Sequence, residues 1–156
     1  MPVSTGTYAL VLEAHSHEVI VIGRLGEMTV VPGYYIYVGS AFGSGGLKAR
    51  LSHHCRISSK PHWHMDYLRK VCNIRKIWFT GDDEARESCW VAIFSGMSGV
   101  MQPLSGFGAT DSKHETHLFR VSEFPVIEYF IEALNNRITD HAPVLECDCS
   151  DIGICL

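Results

Sequence analysis

Long apolar runs are the first thing missing from this sequence. No stretch approaches the roughly 20 apolar residues that a membrane span requires, and the first residues lack the basic-then-apolar order of a signal peptide. Both absences lead us to expect a cytoplasmic protein that makes no membrane contact. An excess of positive charge is missing too: the formal charge is −4 at neutral pH. That argues against coating nucleic acid through net charge, although a local basic cluster can still serve. No close C-x-x-C pair occurs, and three of the six cysteines crowd into "CDCSDIGIC" near the C-terminus. That spacing is not a usual ligand set for zinc, so we expect reduced thiols, with Cys72 and Cys89 as small core residues. Repeats and low-complexity tracts are also absent.

What is present is an ordinary globular composition, 46% hydrophobic and 19% charged over 156 residues. That is enough for one core in one domain. Residues 7 to 14 ("TYALVLEA") and 17 to 24 ("HEVIVIGR") read as strands flanking a short polar break, the pattern of a hairpin. "EMTVV" then leads through "PG" to "YYIYVG", so the first forty residues predict a small antiparallel sheet of three or four strands. Helices are expected from Leu47 ("LKARLSHHCRI"), just after Pro61 ("HWHMDYLRKV"), within "DDEARESCWVAIFSGM" from Asp83 and from Pro125 to about Ile138. "IRKIWF" reads as a strand, "GFGATDS" as a loop and "THLFRV" as a last strand. The fold class is α+β, a small antiparallel sheet flanked by helices. Residues 1–140 form the single domain and 141–156 a loose, cysteine-containing tail.

Several polar residues sit where packing alone would not put them. On the helix from Leu47, positions 47, 50, 51 and 54 share one face, so Arg50 and His54 lie on the stripe of Leu47 and Leu51. The arginine either reaches the edge to pair with a carboxylate or points into a cleft. On the helix from Asp83, Glu87 shares a face with Trp90, Val91 and Phe94 and needs a cation. A salt bridge to Arg50 would satisfy both; a divalent metal beside the arginine would instead make a phosphodiester-cleaving site. In "YYIYVG", Tyr35, Tyr37 and Gly39 point to one face and Tyr34, Ile36 and Val38 to the other. Tyr37 is close enough to the glycine-rich loop for its hydroxyl to meet a ligand.

"GTY" at 6 to 8, "YVG" at 37 to 39, "LKARLSHH" and a later helical glutamate together resemble the GIY-YIG nuclease superfamily. "PGYYIYVGSA", "HWHMDYL" and "GFGATDSKHETHLF" look like a free-standing branch of it that is sometimes joined to an endonuclease III type DNA glycosylase. The resemblance covers roughly residues 5 to 121. It implies an endonuclease acting on DNA rather than RNA, in repair or on branched structures, with such a glycosylase as a possible partner. The catalytic set it implies is Tyr8, Tyr37, Arg50, His54 and Glu87, with Glu87 holding magnesium or manganese. Tyr8 would be the general base, Tyr37 would position water or phosphate, and Arg50 would face the developing oxyanion. Gly39, Ser40, Lys48, His62 and His64 are expected to border the substrate.

Two departures accompany the resemblance. An extra hairpin, "HEVIVIGRLGEMTVV", is inserted between the two motif strands, and Ser40 stands where many members carry a charged residue. A catalytically weak nucleic-acid-binding module of the same fold is the alternative. His62, Asp66 and Arg69, with Asp111, His114 and His117, could form a second polar pocket for a strand or a metal. Trp63 and Tyr67 could stack on a base or simply pack.

Overall fold

The computed structural model describes residues 4–109 and 114–156. Its centre is β1 (Gly6–Ala14), "GTYALVLEA", in which every residue but Glu13 is buried. A strand apolar on both faces must be covered on both, and it must sit inside a sheet. β1 accordingly runs antiparallel between β4 (Gly33–Ala41) and β5 (Cys72–Thr80). β6 (Leu118–Val121) extends the sheet beyond β4 and β7 (Val144–Cys147) beyond β5, giving the order β6-β4-β1-β5-β7.

One face of β1 sends Tyr8, Leu10, Leu12 and Ala14 into a core with Tyr35, helix α1 (Gly46–Cys55) and helix α2 (His64–Leu68). The other sends Ala9 and Val11 against Ile36, Val38 and Trp78. Helices α3 (Glu87–Gly96) and α4 (Ile127–Arg137) cover them with Trp90, Phe94 and Phe130. Each such aliphatic or aromatic side chain removed from water contributes about 1.5–3 kcal/mol, so the double-faced sheet dominates stability. The α+β class expected from the sequence is the observed one.

The expected pairing of the first two strands is overturned. β2 (Glu18–Ile22) pairs with β3 (Gly26–Val30) in a separate two-stranded sheet and does not touch the edge of β1. Both edges of β1 are occupied, while β2 and β3 are apolar on one face only. Ile22, Met28 and Val30 are buried while Val19 and Val21 are exposed. The pair therefore folds over the first core as a flap, and it is the inserted hairpin anticipated between the motif strands.

Three element bounds also differ from expectation. α2 spans only residues 64–68, with Trp63 at its N-cap and Asp66 returning a carboxylate to the cap. α3 begins at Glu87 rather than Asp83. Asp82, the first residue of that acidic run, instead accepts hydrogen bonds from Glu84 N, Arg86 Nε and Ala142 N. The tail is not loose, because β7 pairs with β5 and α5 (Ile152–Cys155) packs near α1. Cys55 and Cys149 are joined in a disulfide, whereas Cys72, Cys89, Cys147 and Cys155 are free. The expectation of six reduced thiols fails because spacing in a sequence does not report which distant helix end meets the tail.

Candidate active site

The β1–β4 register places Tyr8 opposite Gly39, with Tyr37 two residues along on the same face. A Cβ on Gly39 would lie 2.4 Å from Tyr8 Oη, so the glycine is what lets the phenol lie across the neighbouring strand. The two tyrosine ring centroids are 6.3 Å apart. β4 then turns through the glycine-rich loop into α1. Gly46 has φ 61°, and its bare Cα lets Ser4 O approach to accept from Leu47 N at 2.9 Å.

α1 behaves as its apolar stripe demands: Leu47, Leu51 and His54 are buried and Arg50 is half-buried. His54 Nε2 lies within hydrogen-bond distance of Tyr8 Oη, 2.8 Å, and its ring is 6.1 Å from that of Tyr37. One turn earlier, Arg50 Nη1 donates to Ser40 O at 3.2 Å while its Cζ sits 4.3 Å above the Trp63 ring. Glu87 enters from the first turn of α3, with its carboxylate 30% exposed and Oε2 3.7 Å from His117 Nδ1. Among the described residues Arg50 and Glu87 form no ion pair with each other. Of the two arrangements weighed for them, the salt bridge is thus not adopted.

The electrostatics tie these side chains into one site. Burial first, then the adjacent Tyr37, pushes the Tyr8 phenol well above its usual value of 10; Arg50 pulls it back and Glu87 raises it further. Tyr37 is raised too, by burial and by Glu87, with Arg50 opposing. Burial, His53 and Arg50 bring His54 down to about 3. The free protein therefore holds a neutral phenol against a neutral imidazole, and the proton expected to leave Tyr8 is held there. Tyr8 is fully buried, whereas Tyr37 is partly buried, its ring packed against Phe107. His54 Nδ1 is buried and, among the described residues, has no hydrogen-bond partner, a cost of about 1–3 kcal/mol.

The remaining expected residues take varied places. Gly39 and Ser40 line the site through backbone; Lys48 and His62 are exposed, and Lys48 borders a groove with Ser4, Thr5 and Leu156 rather than the tyrosines. His64 Nδ1 accepts from Gly108 N at 2.8 Å and so anchors the loop whose Phe107 packs edge-on against Tyr37. Tyr67 packs against the first core. Asp66 does not form a pocket with His62 and Arg69 side chains. Its carboxylate accepts from the backbone N–H groups of His62 and Trp63 and from His53 Nε2, and these outweigh burial to hold its pKa low. Arg69 is buried and donates to the carbonyls of His54, Cys55 and Cys72.

The expected second pocket is divided between two places, and Asp111 lies outside the described residues. His114 Nε2 is 2.6 Å from Ser88 Oγ, and His117 stands beside Glu87 with Nδ1 3.3 Å from Val38 O. Sequence reasoning missed His117 as a neighbour of Glu87, yet the signal existed. It precedes Leu118, which pairs with Tyr37, so the strand "THLFRV" laid beside β4 would have brought it there. Nothing in spacing links Trp63 to Arg50, whereas His53 follows it at i, i+3 on α1.

Among the described residues no group of three or more His, Cys, Asp and Glu side chains is placed to hold a metal. Glu87 offers a single, accessible carboxylate. That donor suits a hard divalent cation that keeps most of its waters or takes phosphate oxygens, and does not suit a closed all-protein site. Among the described residues no helix is long and apolar enough to cross a membrane.

No curated protein and no solved structure matches the chain. One family model does, over residues 7–140, a span that holds every element of the site from Tyr8 to His117. On that match the chain belongs to the family described as Domain of unknown function DUF123.

Proposed function

We propose that this protein is a metal-dependent endonuclease of GIY-YIG type that hydrolyses phosphodiester bonds in DNA, in repair or on branched structures. The observation that carries the reading is the meeting of Tyr8, Tyr37, Arg50 and His54, drawn from β1, β4 and α1, with Glu87 of α3 close enough for its charge to raise both phenols. A basic stretch supports it. Residues 28–65 contain Lys48, Arg50, Arg56 and Lys60 and no acid, in a chain of net charge −4. Lys48, Arg56 and Lys60 are all exposed, so a phosphate backbone meets local positive charge there despite the total.

In this reading Arg50 binds the scissile phosphate and stabilises charge developing on its oxygens. Tyr37, the less buried residue of the two tyrosines, orients water or phosphate through its hydroxyl. His54 fixes the Tyr8 hydroxyl through their 2.8 Å contact. Magnesium or manganese, held by Glu87, would neutralise a non-bridging oxygen and supply the positive charge that favours an ionised phenol.

Burial of Tyr8 favours a second reading, a binding module that keeps the fold without cleavage. A nicking assay on single-stranded, duplex, flap and junction DNAs with magnesium or manganese separates the two. Cleavage of at least one substrate is expected, with Glu87→Gln and Arg50→Ala each lowering the rate by about 10²-fold or more while DNA binding persists in Glu87→Gln. Binding without nicking in the parent protein supports the module; nicking that survives both substitutions removes this site from the reaction.

A further inference from the structure

A half-buried arginine is ordinarily seated on a carboxylate. Arg50 is not. Among the described residues it makes no ion pair, and the two acids whose fields reach its neighbours are engaged elsewhere. Asp66 accepts from His53, His62 and Trp63, and Glu87 faces His117. The guanidinium is held instead by groups with no formal charge, the Ser40 carbonyl at 3.2 Å and the face of Trp63 at 4.3 Å, with the neutral Tyr8 phenol also within its hydrogen-bonding influence.

We propose that Trp63 is a positioning residue, a platform that fixes the Arg50 guanidinium without neutralising it, so that its full charge remains for a substrate phosphate. The phosphate rests on the nuclease reading; the platform itself does not. A carboxylate in the same place would orient the arginine equally well but would cancel the field it presents to an anion. An indole face attracts the cation through its quadrupole and leaves the charge intact. The platform is itself braced. Trp63 is the N-cap of α2, its N–H donates to Asp66 Oδ2 at 3.0 Å, and His53 packs edge-on against its ring at 4.7 Å. Asp66 holds both the backbone of Trp63 and the ring of His53, so one buried carboxylate sets the platform's position without touching the arginine.

Two measurements test this, one of them independent of catalysis. Trp78 and Trp90 are fully buried, which leaves Trp63 as the tryptophan within reach of a quencher. Acrylamide quenching of the intrinsic fluorescence should increase in Arg50→Ala, and the increase should vanish in Arg50→Ala combined with Trp63→Leu. Unchanged quenching in Arg50→Ala overturns the platform even if no DNA substrate is cleaved. On a DNA that the parent protein nicks, Trp63→Leu should lower kcat about tenfold with KM nearly unchanged, and Trp63→Phe, which keeps a ring face, should recover most of it. Equal losses in the Leu and Phe variants, or parent-like kcat in the Leu variant, overturn the positioning role. Should the parent nick nothing while Arg50→Ala exposes the indole, the nuclease reading falls and the platform stands.

Discussion

His54 carries an imidazole where protonation is least tolerated. Tyr8 and Tyr37 face it from the sheet, Arg50 and His53 from its own helix, and Trp63, Asp66 and Arg69 from the α2 segment. Its pKa of about 3, against 6.5 in an unfolded chain, means that between those values the unfolded state binds a proton that the folded state refuses. Stability therefore rises with pH across that window, is complete above 6.5, and is lost progressively as pH falls toward 3, by on the order of 5 kcal/mol. Asp66 adds to the same trend: its carboxyl is held below the usual value, so what it contributes disappears as pH drops through its folded pKa. His54→Gln should cost about 1 kcal/mol at pH 7 through the lost bond to Tyr8, yet unfold at lower pH than the parent. Thermal melts from pH 7 to pH 4 check this. Parallel pH profiles for the two proteins would show that His54 does not govern acid sensitivity.

At the scale of the element, the β1–β4 pair is the device that assembles the site, and Gly39 is its tightest point. Tyr8 is pinned by His54 and fully buried, so its ring cannot swing aside for a Cβ that would sit 2.4 Å from its oxygen and 2.5 Å from Cζ. Gly39→Ala should therefore cost about 1–3 kcal/mol in an unfolding titration and reduce nicking well below the parent. Unaltered stability and activity would mean that Tyr8 is not held as described. Which face each tyrosine takes was legible in "YYIYVG", because strand alternation alone separates Tyr35 and Tyr37 from Ile36 and Val38. The stripe of Leu47, Arg50, Leu51 and His54 was legible by the same logic on a helix. Pairing was not. "TYALVLEA" and "HEVIVIGR" look like neighbours in sequence, and only the two-faced burial of the first and the one-faced burial of the second show that they belong to different sheets. Glu87 was placed correctly on a face with Trp90, Val91 and Phe94, but its neighbour His117 comes through the pairing of the strand after it with β4, which had to be assumed before the two could be brought together.

Across the whole molecule, the C-terminal segment acts as a strap that closes behind the site. β7 adds to the edge of β5, and Cys149, two residues beyond it, is bonded to Cys55, the last residue of α1 and the one after His54. Arg69 gathers the carbonyls of His54, Cys55 and Cys72 at the same corner, so the end of α1 is fixed by hydrogen bonds on one side and a covalent bond on the other. The bond spans 94 residues, and loop-closure entropy for such a span gives roughly 4–5 kcal/mol as an upper figure, with 2–4 kcal/mol the usual yield. For a chain of this size that corresponds to a fall of roughly 5–15 °C in melting temperature on Cys149→Ser or on reduction. The loss should reach the site as well as the fold, because the residue released is the neighbour of the imidazole that holds Tyr8. Thiol titration of the denatured, unreduced protein should find the four free cysteines, 72, 89, 147 and 155, and reduction should add Cys55 and Cys149. If all six titrate without reductant, or if Cys149→Ser melts with the parent, the strap is held by packing of β7 and α5 alone and α1 does not depend on a covalent tie.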